Sequence, residues 1–288
     1  VIGDPVRHSL SPVLHNSAFA ALDLDWAYLA LPVREGEAPG AIAGVRALGI
    51  DGLSVTMPHK AAVVALMDSL SPVASALGAL NTVVRRGSAL VGDNTDGPGF
   101  LDSLRIDQGI DPAGMRAVVL GAGGAARAVV LALAGAGAEQ VVVVNRSPQR
   151  GLAAAELSGL VGNEGRAIDA SDLAAVSEEV GRADLVVNAT PVGMDGTAAV
   201  IAMGSRRADL PLDPDLLRPG QVVVDLVYHP IVTPLMDEAR QRGAMVVGGL
   251  GMLVHQAAHQ FSLWTGQEAP LAVMSAAALG ALQHPPTS

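Results

Sequence analysis

One residue in this chain is alone of its kind. Of 18 lysines and arginines, 17 are arginine, which leaves Lys60 as the only lysine. A guanidinium stays protonated at any pH a cell meets, whereas an ammonium has an accessible neutral form. A position that keeps Lys where composition favours Arg therefore reads as one where a proton is given and taken, against the plainer reading of a solvated charge at a helix start. Lys60 closes DGLSVTMPHK, an apolar run ended by Pro58 that reads as a strand whose tip faces a ligand crevice. Ser54 and Thr56 alternate along it and are expected on one side. A matching carboxylate is Asp96 in GDNTDG, although Asn, Asp and Gly are also ordinary turn residues. Asn81, between an apolar helix end and an apolar strand in ALNTVV, is expected to be at least partly buried and so to need partners. Ser9 and Ser11 in RHSLSP precede a helix opening at Pro12. Either Ser11 is an N-cap or the hydroxyls bind a small carboxylate at the positive helix end, and the spacing leaves both readings open.

A second chemistry lies further along. Gly121, Gly123 and Ala126 form G-x-G-x-x-A directly after the strand VVL and at the start of a helix, where a tight turn lets a pyrophosphate sit on free N–H groups. The next strand ends in NRSPQR. Asn145 stands where an acid would accept the ribose 2′-OH of NAD, and Arg146, Ser147 and Arg150 offer two guanidiniums and a hydroxyl to a phosphate dianion. This favours NADP, against the reading of two solvated arginines at a helix start.

Positioning these residues requires strands and helices in alternation: VIGD, a helix over about Ser11 to Leu22, WAYLALPV, a second helix, GLSVTMP, and a further helix with Lys60 at its start. Two strands then flank the Arg85 to Ser88 turn. The pattern restarts after Met115 with strand, glycine turn, helix and strand, and later strands are Ala183 to Pro191, Gln221 to Tyr228 and Ala244 to Gly249. The segment from Gly193 to Pro219 reads as a variable surface loop. GMLVHQAAHQFSLWTG reads as an amphipathic helix with Met252, Leu253, Gln256 and Gln260 at helical spacing. The fold class is α/β with two domains: residues 1–97, with a mainly parallel sheet, and residues 98–249, Rossmann-like, followed by helices over 250–288.

Composition narrows the function classes. A chain of 288 residues with 50% hydrophobic content can bury a sizeable core. A net charge of −10 without a basic tract, and only 2% aromatics, argue against a nucleic-acid partner. Without cysteine there are no disulfides, thiolate metal sites or thiol nucleophiles. No uncharged apolar run of about 18 residues is present, and no membrane partner is expected. No leader is recognised, so a cytoplasmic location is expected, and a chain opening on Val1 inside a strand is expected to lack a few residues in front. His255 and His259 lie at i, i+4 without a carboxylate at ligand spacing, so a surface or core pairing is favoured over a metal site.

The stretches GDPVRHSLSP, SVTMPHK, GALNTVV, GDNTDG, GAGGAARA, NRS, NATPVGM, DLVYHP and GLGMLVHQAAHQFSLWTG occur in this order, and with them the chain resembles the shikimate dehydrogenase family over nearly its whole length. The resemblance implies an N-terminal substrate domain, a Rossmann-like NADP(H) domain and a C-terminal helical segment returning to the first. The implied activity is reversible NADPH-dependent reduction of 3-dehydroshikimate to shikimate, a step in aromatic amino-acid biosynthesis, by a monomer or homodimer. By motif position Lys60 resembles the catalytic lysine and Asp96 its aspartate. Ser9, Ser11 and Tyr228 look like the carboxylate-binding hydroxyls, and Thr56, Asn81, Asp96 and Gln256 like the groups that hold the ring hydroxyls. Gly121, Ala122, Gly123, Gly124, Ala125, Asn145, Arg146, Ser147, Arg150, Leu226 and Gly249 are similar to the cofactor contacts. Two positions depart from the commonest pattern: Ser54, where many members carry Asn, and Ser147, often Thr. The alternatives are a quinate/shikimate or aminoshikimate dehydrogenase with another substrate or NAD preference, and a non-catalytic NADP-binding sensor on the same fold.

Overall fold

Short β-branched runs separated by alanine-rich stretches give short strands and small-faced helices that can pack closely. In the computed structural model, which describes residues 1–194 and 210–283, the chain divides into two units. One comprises Val1–Gly99 with the residues from Leu253 on, the other Phe100–Met252. Up to the first boundary the elements are β1 (Ile2–Gly3), α1 (Ser11–Ala21), β2 (Leu31–Pro32), α2 (Ala38–Ala47), β3 (Gly52–Ser54), β4 (Ser69–Leu70), α3 (Pro72–Leu77), β5 (Thr82–Arg86), β6 (Ala89–Asp93) and α4 (Asp96–Asp102), the last running across it.

The sheet of this first unit is mixed, which corrects the mainly parallel sheet expected for it. β1 and β2 are parallel, and a parallel bridge joins Ile2 to Val55, but β3–β5 and β5–β6 are antiparallel, with β4 parallel to β6 at the far edge. The reason is local. Arg86 pairs with Ala89 across a Gly87-Ser88 turn in which Gly87 has φ 61°, and so tight a hairpin makes its strands antiparallel. Ile2, Leu53, Val55, Leu80, Val83 and Leu90 form the core with Ile42 and Val45 of α2.

Two helix expectations also change. Lys60 does not open a helix: its carbonyl accepts the Leu80 N–H at 2.9 Å, so it is not free for an i+4 partner, and Val64 N–H turns to Ala61 O at 3.2 Å. Only a 3-10 turn, Val64–Leu66, follows. Ser11 is not the N-cap of α1 but its first helical residue. The capping position is Leu10, and the hydroxyl of Ser9 accepts the Ser11 N–H at 3.2 Å.

In the second unit the elements are β7 (Arg116–Leu120), α5 (Gly124–Gly135), β8 (Gln140–Asn145), α6 (Pro148–Ala155), β9 (Gly165–Asp169), α7 (Leu173–Arg182), β10 (Leu185–Asn188), β11 (Val222–Asp225), α8 (Pro234–Gln241) and β12 (Met245–Gly248). Its six strands are all parallel in the order β12-β11-β10-β7-β8-β9, the doubly wound order with its reversal between β7 and β10. Leu210 and Leu212 are fully buried in this unit's core, so the end of the supposed surface loop from Gly193 to Pro219 is a packing element. Residues 195–209 of that loop lie outside the described residues. The chain closes with α9 (Gly249–Thr265) and α10 (Leu271–Gln283), and α10 packs on α1 within the first unit. Among the described residues no helix is long and apolar enough to cross a membrane.

Candidate active site

In the first unit three segments meet at one carboxylate. Asp96 opens α4, with its N–H donating to Asn94 Oδ1 at 3.1 Å. Lys60 Nζ donates to Asp96 Oδ2 at 2.5 Å, and Asn81 Nδ2 donates to the other oxygen at 2.8 Å. The Lys60 and Asp96 side chains are 19% and 7% exposed, so this charge-assisted bond is made in a place where water screens it little. Asn81 is buried, as the need for partners demands, and its Oδ1 accepts the Thr95 N–H at 2.9 Å and the Thr82 hydroxyl at 2.7 Å. Gln256 arrives on α9, its Oε1 3.4 Å from Asn81 Nδ2. Glycine permits that approach: a Cβ on Gly99 would lie 2.5 Å from the Gln256 nitrogen.

Ser9 and Ser11 lie together, with the Ser9 hydroxyl donating to Ser11 Oγ at 3.1 Å. Thr56 lies beyond the end of β3, its N–H bonded to Ile2 O at 3.0 Å and its methyl filling the space above Gly3, so strand alternation does not set its side. Ser54 is buried and engaged: it accepts the Tyr28 hydroxyl at 2.5 Å and donates to Gln260 Oε1 at 2.8 Å.

The second unit holds the other expected group. Gly121, at φ 107°, leaves β7 where a Cβ would stand 3.2 Å from both Ala189 O and Thr190 Cγ2, so the exits of β7 and β10 touch at the reversal point. Gly123 precedes α5 without a capping side chain, and Ala122, Gly124 and Ala125 complete the turn, leaving N–H groups for an anion at the helix start. After β8, Asn145 Nδ2 donates to Ser147 O at 2.9 Å, and Ser147 caps α6. Arg146 and Arg150 are exposed, and among the described residues neither has a carboxylate partner. A Cβ on Gly249 would overlap the Leu226 carbonyl, so the close approach of the two backbones there requires glycine. Open N–H groups, a turn that needs glycine at Gly121 and two exposed guanidiniums fit a dinucleotide carrying an extra phosphate. Tyr228 is half-buried, and burial raises its hydroxyl pKa.

Three family models match the chain in order: the shikimate dehydrogenase substrate binding domain over residues 1–83, shikimate / quinate 5-dehydrogenase over 107–194, and the shikimate 5'-dehydrogenase C-terminal domain over 249–279. Shikimate dehydrogenase (NADP(+)) of Moorella thermoacetica is 48% identical over 277 residues, 95% of this chain and 90% of its own. The chain belongs to the shikimate dehydrogenase family. Within that family, shikimate 5-dehydrogenase from Thermus thermophilus, solved with NADP(H) and shikimate, is 41% identical with a TM-score of 0.84, covering 98% of each chain. Quinate dehydrogenase from Corynebacterium glutamicum, solved with NAD, is 31% identical with the same TM-score of 0.84 over 97% of each chain.

Several polar residues of this shikimate dehydrogenase family member escaped the sequence reading. Tyr28, Thr82 and Thr95 stand behind the Lys60 cluster, and Gln260, noted only as a member of a helix face, is 1% exposed and reaches it. The available signal was the pair Gln256 and Gln260, one turn apart on a helix that also carries His255 and His259. In the second unit Asp225 is fully buried and accepts from Asn188 Nδ2 (2.9 Å), Val227 N–H (3.1 Å) and Thr233 Oγ1 (2.6 Å). It ties NATPVGM to DLVYHP and so holds the segment bearing Leu226 and Tyr228. Burial nevertheless pushes its pKa up to about 6.

Proposed function

We infer that the chain is an oxidoreductase that reversibly reduces 3-dehydroshikimate to shikimate with NADPH. The observation that carries this reading is the Lys60–Asp96–Asn81 cluster, a proton donor held by a carboxylate whose second oxygen is itself held. Bound NADPH supplies the hydride. Lys60 gives a proton to the substrate oxygen that becomes a hydroxyl, and recovers it in the reverse direction. Asp96 orients the ammonium and, with Thr56, Asn81 and Gln256, receives the ring hydroxyls. Ser9, Ser11 and Tyr228 offer hydroxyls to the carboxylate. Gly121, Ala122, Gly123, Gly124 and Ala125 take the pyrophosphate, Arg146, Ser147 and Arg150 the 2′-phosphate beside Asn145, and Leu226 and Gly249 line the remaining cofactor surface.

In this reading residues 1–97 bind substrate, 98–249 bind cofactor, and the helices of 250–288 complete the substrate side. The same reading takes the enzyme to act in the cytoplasm, as a monomer or homodimer. Arg146 and Arg150 favour NADP over NAD, because two exposed guanidiniums at the end of β8 suit a phosphate dianion. Initial rates with shikimate and quinate, each with NADP and NAD, provide the test. The fastest turnover is expected with shikimate and NADP, and activity with none of the four pairs overturns the assignment.

A further inference from the structure

Behind the Lys60 cluster runs a buried line of hydrogen bonds that the reaction as described does not use. It begins at Tyr28, passes through Ser54 and Gln260, and ends through Thr82 on Asn81, with every member buried. Its direction is fixed by groups that have only one role. The main-chain carbonyl of Asn81 can only accept, so the nitrogen end of Gln260, 3.2 Å away, faces it and the oxygen end faces Ser54. Ser54 therefore donates to Gln260 and accepts from Tyr28. Gln260 Nε2 also donates to Thr82 Oγ1 at 3.1 Å, which leaves the single hydroxyl proton of Thr82 for Asn81 Oδ1, at 2.7 Å. Asn81 is thus turned with its oxygen to the chain and its amino group to Asp96. A flipped amide would set an oxygen against the Asp96 carboxylate and an N–H against the Thr95 N–H.

We propose that Thr82 and Gln260 are positioning residues for the proton-transfer pair, holding the Asn81 amide in the orientation that fixes Asp96 and, through it, Lys60. Neither touches Lys60 or Asp96 in a hydrogen bond among the described residues. Thr82 is fully buried, on the strand that Asn81 precedes. The line joins β3, β5 and α9, so α9 reaches the catalytic pair through Gln260 as well as through Gln256. Ser54 finds its acceptor on α9, at Gln260 Oε1.

The proposal rests on the reaction assigned above, and the test separates the two. Wild-type protein inactive with shikimate and NADP would overturn the reaction itself, before any variant is made. Thr82→Val keeps the branched shape and replaces the hydroxyl with a methyl, and both groups that lose it keep another partner, Asn81 O for Gln260 and the Thr95 N–H for Asn81. Its kcat is expected to fall on the order of tenfold, with melting temperature and KM for NADP near those of wild type, because slight misplacement of a catalytic group is costly. Thr82→Ser, which retains the hydroxyl, should recover most of the loss. A Thr82→Val kcat within about twofold of wild type, or equal losses in the Val and Ser variants, would overturn the proposal. Should Thr82→Val not fold, Gln260→Leu reads the same line from α9: a similar fall in kcat at unchanged KM for NADP supports it, and unchanged kcat overturns it.

Discussion

At the scale of single residues, the lone lysine makes the sharpest demand. Lys60→Ala is expected to lower kcat by about 10²–10⁴-fold, the range of a lost general acid, while NADP affinity stays as it is. Lys60→Arg should be nearly as poor, because a guanidinium keeps the ion pair with Asp96 but gives up no proton; steady-state kinetics of both variants against wild type decide it, and an active Arg variant would sink the role. Arg146→Ala and Arg150→Ala make a second demand. Each deletes a charge-assisted contact, so KM for NADP should rise on the order of tenfold per substitution with KM for NAD little changed. Equal changes for both cofactors would place the 2′-phosphate elsewhere. These residues were legible because their chemistry is carried by type and rarity. Tyr28, Thr82 and Gln260 were not, since a hydroxyl or an amide in a strand or helix looks the same whether it faces water or a buried partner 206 positions away, as Gln260 is from Ser54.

At the scale of elements, spacing decides what can meet. The parallel strands of the second unit could be read from continuous Val runs and one glycine turn, because both faces of such a sheet are covered and every position is apolar. The mixed sheet of the first unit could not, since a two- or three-residue strand such as β1 or β3 shows no alternation from which direction or register follows. Nor could the turns around Lys60, where a tertiary bond from Leu80 overrides local helix preference. The approach of α4 to α9 is likewise set by one missing side chain. Gly99→Ala would drive a methyl into the Gln256 backbone and push the helices apart, at a cost of about 1–3 kcal/mol for overpacking. Because Asp96 and Gln256 flank that contact, KM for shikimate should rise with the loss of stability, whereas KM for NADP should not; denaturant unfolding with parallel kinetics checks both, and unchanged stability would contradict the close approach.

At the scale of the whole molecule, each unit carries a buried side chain whose pKa burial moves into the acid range, His15 in the first and Asp225 in the second, and the two oppose each other in acid. His15, stacked on Tyr28 at 4.4 Å, is fully buried, and burial outweighs its contact with Gln260 and lowers its pKa from 6.5 to about 3. The unfolded chain therefore takes a proton near 6.5 that the folded chain refuses until about 3, so His15 withdraws stability as pH falls through that window, by about 1.4 kcal/mol per pH unit. Asp225 runs the other way. Its folded pKa of about 6 stands above the unfolded 3.8, so the folded chain holds a proton the unfolded chain has lost, and stability falls as pH rises from 3.8 to about 6. Between those values the two slopes offset each other. His15→Phe, which preserves a ring in the stack, should leave the Asp225 slope exposed, so that melting temperature rises as pH is lowered from about 6 to 4. Asp225→Asn should leave the His15 slope, so that melting temperature drops over the same interval. The substitutions also shift the absolute level, Asp225→Asn by placing an amino group beside Thr233 or Val227, but the test lies in the slopes. Thermal melts of wild type and both variants across this range should give slopes of opposite sign, and slopes of the same sign would mean that at least one of these groups does not titrate as its burial requires.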